Sequence, residues 1–236
     1  MTMLILSVDS SASPASVCLY DDRILAEYYI NVGLTHSQTL VAMIESLLKI
    51  TDTRVEDIDL YAVNSGPGSF TGVRIGVSAV KGMAYAQNKP CVAVSTLRSM
   101  ANNCLAENAV ICACMDARRH QVYNALFKIT GGAVERICDD RAISIEALID
   151  ELKSVDDAVI LVGDGADLVY SSCKELKNVT SAPLNQRYQR ASSVAMIAAD
   201  KAKKGETIPA ASLMPSYLRL SQAERERMQK QKGNSV

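Results

Sequence analysis

The stretch Asn64-Ser65-Gly66-Pro67-Gly68-Ser69-Phe70-Thr71-Gly72-Val73-Arg74-Ile75-Gly76 decides how the chain is read. It follows the apolar run Leu60-Tyr61-Ala62-Val63 and packs three glycines and a proline into Gly66–Gly72. That pattern predicts a strand ending in a constrained turn, because glycine permits positive φ and close backbone approach while proline fixes its own φ. From Gly72 onward the spacing turns helical, so the loop puts free backbone N–H groups at a helix start, where anions can bind. The loop lacks G-x-x-x-x-G-K-[ST], G-x-G-x-x-G and G-x-S-x-G, so neither a P-loop, a dinucleotide fold nor a nucleophile elbow is identified. A tight turn without ligand and an anion cradle are both compatible with it.

Working outward, the first third reads as strands Met3–Val8, Ala15–Tyr20 and Ile24–Ile30, an antiparallel meander whose first strand ends on Asp9. Thr35-His36-Ser37-Gln38 fits a capping box and opens a helix to about Ile50. Then come strand Asp59–Asn64, the glycine loop, a helix to Gln87, strand Cys91–Val94 and a helix Thr96–Glu107 capped by Ser95. The second half repeats the order: Val110–Met115 ends on Asp116, Gln121–Ile129 and Val134–Cys138 continue a meander, and Ser144 caps a helix to Lys153. Strand Ala158–Val162 then runs into Gly163-Asp164-Gly165 and a short helix, and a helix Ala191–Lys204 precedes extended chain from Pro209 to Arg219. Two halves of one element order imply duplicated subdomains, set at 1–107 and 108–220, with a charged tail at 221–236. An aspartate after each first strand and a later glycine turn suggest the two-lobed α/β architecture of actin, Hsp70 and sugar kinases (ASKHA), with a cleft between the lobes.

Composition narrows the classes. The chain has 236 residues, 48% hydrophobic and 22% charged, which is ordinary for a globular protein. No apolar run reaches the roughly 18 residues needed to span a bilayer. The N-terminus has no basic flank and meets Asp9 early, so it reads as a strand and the protein as cytoplasmic. The formal net charge of −1 lacks the basic surplus of a protein that binds nucleic acid alone. Seven scattered cysteines without a C-x-x-C read as reduced, packed thiols rather than as a metal site.

Two helices carry more apolar surface than one lobe needs. In the helix after the glycine loop, Val73, Val77, Val80 and Ala84 form a core stripe and Arg74, Ser78, Lys81 and Tyr85 a polar one. The remaining face, Ile75, Ala79, Gly82 and Ala86, is apolar or very small, which lets another helix approach closely. The earlier helix places Leu40, Val41, Met43, Ile44, Leu47, Leu48 and Ile50 around close to half its circumference. Either both helices are sandwiched inside the monomer or a protein partner covers them.

Catalytic equipment is sparse. Only His36 and His120 supply imidazoles, and the residue four after His36 is Leu40, so a helical metal pair is missing its second ligand. His120 follows Arg118-Arg119 in a turn and reads as part of a solvated basic cluster. Asp9 and Asp116 could meet a magnesium–phosphate group, but strand-end aspartates also cap turns. Asp9, Gly66, Gly68 and Gly72 are the residues such a phosphate site would use; no catalytic set is assigned.

At Ser65–Gly76 the chain resembles the TsaB (YeaZ) family, and Leu4–Ser11, His36–Leu40, Ser95–Leu97, Pro215–Arg219 and Ala223–Arg225 fit it too. The resemblance covers nearly the whole chain, the region from about 120 to 210 by element order alone. It implies a non-catalytic scaffold or activating subunit of the bacterial machinery that moves a threonylcarbamoyl group from its adenylate onto N6 of the adenosine beside the tRNA anticodon. The implied partners are the catalytic relative TsaD, the ATPase TsaE, tRNA through the complex only, and a second copy of the chain in isolation. ATP and magnesium are then used by the complex. In the catalytic relative a histidine pair on a helix holds the metal, and here only His36 stands where such a pair would begin. The resemblance carries a partner-interface role onto His36, Leu40, Ile44, Ile75, Ala79 and Gly82. The competing reading is a stand-alone ATP-binding enzyme using the cleft; a peptidase lacks its residues.

Overall fold

The computed structural model describes residues 3–33, 35–104 and 106–219; the tail anticipated at 221–236 lies outside them. The first half is built from β1 (Ile5–Asp9), β2 (Ala15–Tyr20), β3 (Ile24–Ile30), α1 (His36–Ile50), β4 (Leu60–Gly66), α2 (Phe70–Ala86), β5 (Pro90–Ser95) and α3 (Thr96–Ala101). The second continues with β6 (Val110–Asp116), β7 (Gln121–Thr130), β8 (Ala133–Arg136), β9 (Arg141–Ser144), α4 (Ile145–Leu152), β10 (Val159–Val162), α5 (Ala166–Ser172), β11 (Val179–Ser181) and α6 (Leu184–Arg187). The chain closes with α7 (Ala191–Lys203) and β12 (Ile208–Pro209).

Two six-stranded sheets result. The first runs β12-β5-β4-β1-β2-β3 and the second β11-β10-β6-β7-β8, with β9 also paired to β7. In each, an antiparallel meander shares its first strand with parallel additions: β1 pairs β2 antiparallel and β4 parallel, and β6 pairs β7 antiparallel and β10 parallel. This is the duplicated, two-lobed actin and sugar-kinase arrangement. The central strands are buried on both faces, as layers on both sides of a sheet require.

Helices α1 and α2 share one core with β1, β2 and β4, in which Val73, Val77, Val80 and Ala84 are all buried. The opposite face of that sheet packs on α7 through Val194, Ala195 and Ala198. Here the expected boundary is corrected: α7 and β12 belong to the first lobe, so the region 108–220 is not one subdomain. Helix α3 is also shorter than expected, ending at Ala101 ahead of Asn102 and Asn103; Ser95 does cap it, accepting from the Arg98 N–H at 3.2 Å. Ser144 caps α4 in the same way at 3.1 Å. Thr35 precedes α1 without a side-chain bond; its carbonyl accepts from Gln38 N at 3.0 Å instead of closing the expected capping box. Six of the seven cysteines are buried and Cys138 is partly so.

Candidate functional site

The glycine loop connects β4 to α2, and its missing side chains are taken up by the chain's own backbone. A β-carbon on Gly68 would lie 2.3 Å from the Ser11 carbonyl oxygen, and one on Gly72 2.1 Å from that of Ser10. The Ser10 hydroxyl donates to the Gly72 carbonyl at 2.8 Å, and Ser69 N donates to the Ser11 carbonyl at 2.7 Å. The second lobe repeats the device. A β-carbon on Gly163 (φ +102°) would meet the Cys114 carbonyl oxygen at 2.1 Å, just before Asp116. In both lobes the glycines let the first strand's exit pass against a later loop.

Gly66 (φ +128°) faces the C-terminal segment instead, with Ser216 N donating to the Ser65 carbonyl at 2.7 Å. That segment forms a strap along the polar stripe of α2. Lys81 Nζ donates to the carbonyls of Ala211 (2.8 Å) and Leu213 (3.2 Å), and Arg74 Nε donates to the Tyr217 hydroxyl at 2.6 Å. The Tyr217 ring stacks on Phe70 with centroids 4.2 Å apart, and Arg219 Nη1 reaches the Ala117 carbonyl of the other lobe at 2.6 Å. The sequence marks Pro209 to Arg219 as extended chain and Pro215–Arg219 as a stretch that fits the family; the cationic stripe of α2 is the signal for its docking.

Asp9 is fully buried. Its Oδ1 accepts from Ser11 Oγ (2.7 Å), Ser11 N (3.2 Å) and Asn64 Nδ2 (2.9 Å), while Oδ2 has no partner. Burial raises its pKa, against the smaller lowering by these bonds. Asn64 Nδ2 also donates to Ser99 Oγ at 2.8 Å, linking the end of β1 to α3. Of the four residues weighed for a phosphate group, Asp9 is sealed and Gly66 abuts the Ser216 backbone, whereas Gly68 and Gly72 line the cleft between the lobes, the Gly72 N–H donating to Ser69 Oγ at 3.3 Å.

His36 heads α1 and is half-buried. Its Nε2 donates to the Ala12 carbonyl at 2.7 Å, because a carbonyl only accepts, and Nδ1 is left without a partner. The ring also lies 3.2 Å from where a Gly72 β-carbon would stand, so it buttresses the glycine loop. Leu40 and Ile44 are 0% and 3% exposed, inside the core under α1. As surface contacts these two positions are corrected: β2, β3 and α2 bury the Leu40, Met43, Ile44, Leu47 and Leu48 part of the arc. Ile75 and Ala79 are half-buried at the core's edge, and Gly82 is exposed with nothing within 4 Å of its would-be side chain. Around them Val41, Ile50 and Tyr85 are 53%, 71% and 72% exposed.

A cleft of about 790 Å³ separates the lobes, lined by His36, Phe70, Arg74, Asp116, Asp164 and Arg219 among others. Asp116 Oδ1 accepts from Arg118 N at 2.7 Å and Oδ2 from Arg118 Nη1 at 2.9 Å. Burial pushes Asp164 up to about 6, with the neighbouring Asp116 charge adding to the rise, and its Oδ1 is unpartnered. At the rim, Arg118, Arg119 and His120 form three successive left-handed residues, φ +63°, +58° and +54°. The left-handed form costs about 1–2 kcal/mol per non-glycine residue.

Residues 31–227 match the family model described as TsaD, tRNA N6-adenosine threonylcarbamoyltransferase. The chain is 31% identical over 233 residues to the tRNA threonylcarbamoyladenosine biosynthesis protein TsaB of Bacillus subtilis, covering 98% of this chain and all of that one. It is 34% identical over 128 residues to TsaB of Escherichia coli K12, 53% of this chain and 55% of the relative. A solved structure of YeaZ from Pseudomonas aeruginosa superposes with a TM-score of 0.77 over 92% of this chain and all of that one at 24% identity, a likeness of fold.

Proposed function

Because the chain belongs to the TsaB family, we propose that it is a non-catalytic subunit in the formation of N6-threonylcarbamoyladenosine in tRNA. It pairs with a TsaD-type transferase through the accessible side of α1 and α2 and acts with a TsaE-type ATPase. Ile75, Ala79 and Gly82 carry the docking surface, with exposed Val41 and Tyr85 beside them; His36 supports it from behind by holding the 10–12 turn. A second copy takes the same face when the transferase is absent. The protein works in the cytoplasm, where tRNA is modified, and meets tRNA within the assembly.

The observation that carries the non-catalytic reading is the fate of the glycine loop. Although Gly68 and Gly72 line the cleft, the Ser69 and Gly72 N–H groups that would cradle a phosphate donate to the Ser11 carbonyl and to Ser69 Oγ, and Asp9 is enclosed. ATP and magnesium are accordingly handled by other members of the assembly. The alternative, a stand-alone ATP-binding enzyme, keeps the cleft with Asp116 and Asp164 as its argument.

Gly82→Glu and Ala79→Glu place a charge on the docking side. Capture of the TsaD-type transferase should fall at least tenfold while the circular dichroism melt stays near wild type. A folded variant that captures the transferase normally sinks the docking surface. Turnover of ATP by the purified chain alone would sink the non-catalytic role.

A further inference from the structure

We propose that the turn Arg118-Arg119-His120 contacts the phosphate backbone of a nucleic acid, an inference that rests on the tRNA-modification reading above. The other non-glycine residues with positive φ among the described ones are Asp22, Asp52, Asn88 and Asn108, single Asp or Asn residues of the kind that tolerate this conformation. Two arginines in succession, followed by a third such residue at His120, are of a different kind. Glycine at any of the three would relieve the backbone, so the side chains at these positions have a use that outweighs the strain.

The backbone of the turn is held from several sides. Asp116 Oδ1 accepts from Arg118 N, Ala117 N donates to the Gln121 carbonyl at 3.0 Å, and Gln121 N donates to the Arg118 carbonyl at 3.2 Å. Arg219 Nη1 bonds the Ala117 carbonyl at 2.6 Å, and Ile145 N, at the head of α4, bonds the His120 carbonyl at 3.1 Å. Against this fixed frame the three side chains are exposed at the cleft rim. Arg118 shares its guanidinium with Asp116, whereas Arg119 and His120 make no side-chain hydrogen bond or ion pair among the described residues. A guanidinium carried outward on a fixed backbone and left without a protein partner suits a phosphate oxygen, which it can bind bidentately.

A protein partner fits this spot less well. Stable protein contacts centre on apolar side chains, and the neighbouring Ala117 is buried, leaving only polar groups on the turn. Phosphates need no apolar patch, only placed cations. The net charge of −1 makes the chain a poor general polyanion binder, so the turn is a local contact that matters once a partner brings the nucleic acid near.

The test uses the full chain with its TsaD-type transferase and an unmodified tRNA transcript, followed by fluorescence anisotropy over a salt series. Arg119→Gly should melt at or above the wild-type temperature and capture the transferase normally. It should weaken tRNA binding roughly fivefold at low salt and cut the log–log salt slope by about 0.9. Arg119→Lys should keep the slope. Wild-type affinity and slope in Arg119→Gly would overturn this inference alone and leave the functional reading intact. Loss of transferase capture in Arg119→Gly would make the turn a protein contact and overturn it as well. If the wild-type chain captures no transferase, the functional reading falls and this inference falls with it.

Discussion

Gly66 and Ser216 meet so closely that a β-carbon on Gly66 would stand 2.3 Å from the Ser216 carbonyl oxygen, and the φ of Gly66 is +128°. Gly66→Ala therefore suffers both backbone strain and a clash with main chain. It should cost about 3 kcal/mol or more, a fall in Tm of roughly 6–12 °C for a chain of this size. Gly82→Ala is the control, because it sits in α2 with open space around it. Removing a helical glycine there should stabilise by about 1 kcal/mol. Thermal melts of the two variants should move in opposite directions; a common direction contradicts the assignment.

The strap itself is tested at Tyr217. Tyr217→Ala removes the stack on Phe70 and the bond from Arg74 Nε, contacts worth about 1–2 kcal/mol together. Hydrogen exchange should quicken across 208–219 while the amides of β1 and β4 keep their protection. Uniform quickening would mean that the strap is part of the global unfolding unit rather than a separable segment.

Much of this was legible from residues, and the failures have physical causes. The strands read at Ala15–Tyr20 and Ile24–Ile30 match the bounds of β2 and β3, and the Val73, Val77, Val80 and Ala84 stripe is the buried side of α2. Leu40 and Ile44 misled because a helical wheel gives the width of an apolar arc but not the number of layers it touches. Here β2, β3 and α2 share that arc. The glycines were legible as sites of close approach, yet sequence could not say that Ser10, Ser11 and Ser216 would be what approaches. Nor could local pattern show that α7 returns to the first sheet, since that contact spans more than a hundred residues: Ser7 Oγ donates to the Ala191 carbonyl at 2.7 Å.

Asp164 gives a pH dependence with a defined sign. Its pKa rises from 3.8 to about 6 on folding, so the folded state holds the proton more tightly. The resulting stabilisation is fully present below about pH 3.8 and is lost as pH climbs towards 6. The loss amounts to roughly 3 kcal/mol. Buried Asp9 is shifted in the same direction. Asp164→Asn removes the ionisation, so its urea midpoint should exceed the wild type's at pH 7 and approach it at pH 4. A gap that does not change with pH would show that Asp164 is not the titrating group.

Glu27 closes the distance between the two ends of the chain. From β3, its Oε1 accepts from Ser192 N (3.0 Å) and Ser192 Oγ (2.8 Å), so it caps α7 in place of a local side chain. Its Oε2 accepts from Arg190 Nε at 3.1 Å and Nη2 at 2.9 Å, and the Glu27 side chain is only 10% exposed. Glu27→Ala strands a guanidinium and an uncapped helix start together, and should cost about 2–4 kcal/mol. Glu27→Gln keeps the cap but not the charge and should lose about half as much. Because α7 covers the back of the first sheet, the alanine variant should also raise exchange in β1 and β2 while α4 and α5 stay protected. Equal stability of the alanine and glutamine variants would show that the charge pair, and not the cap, fixes α7 in place.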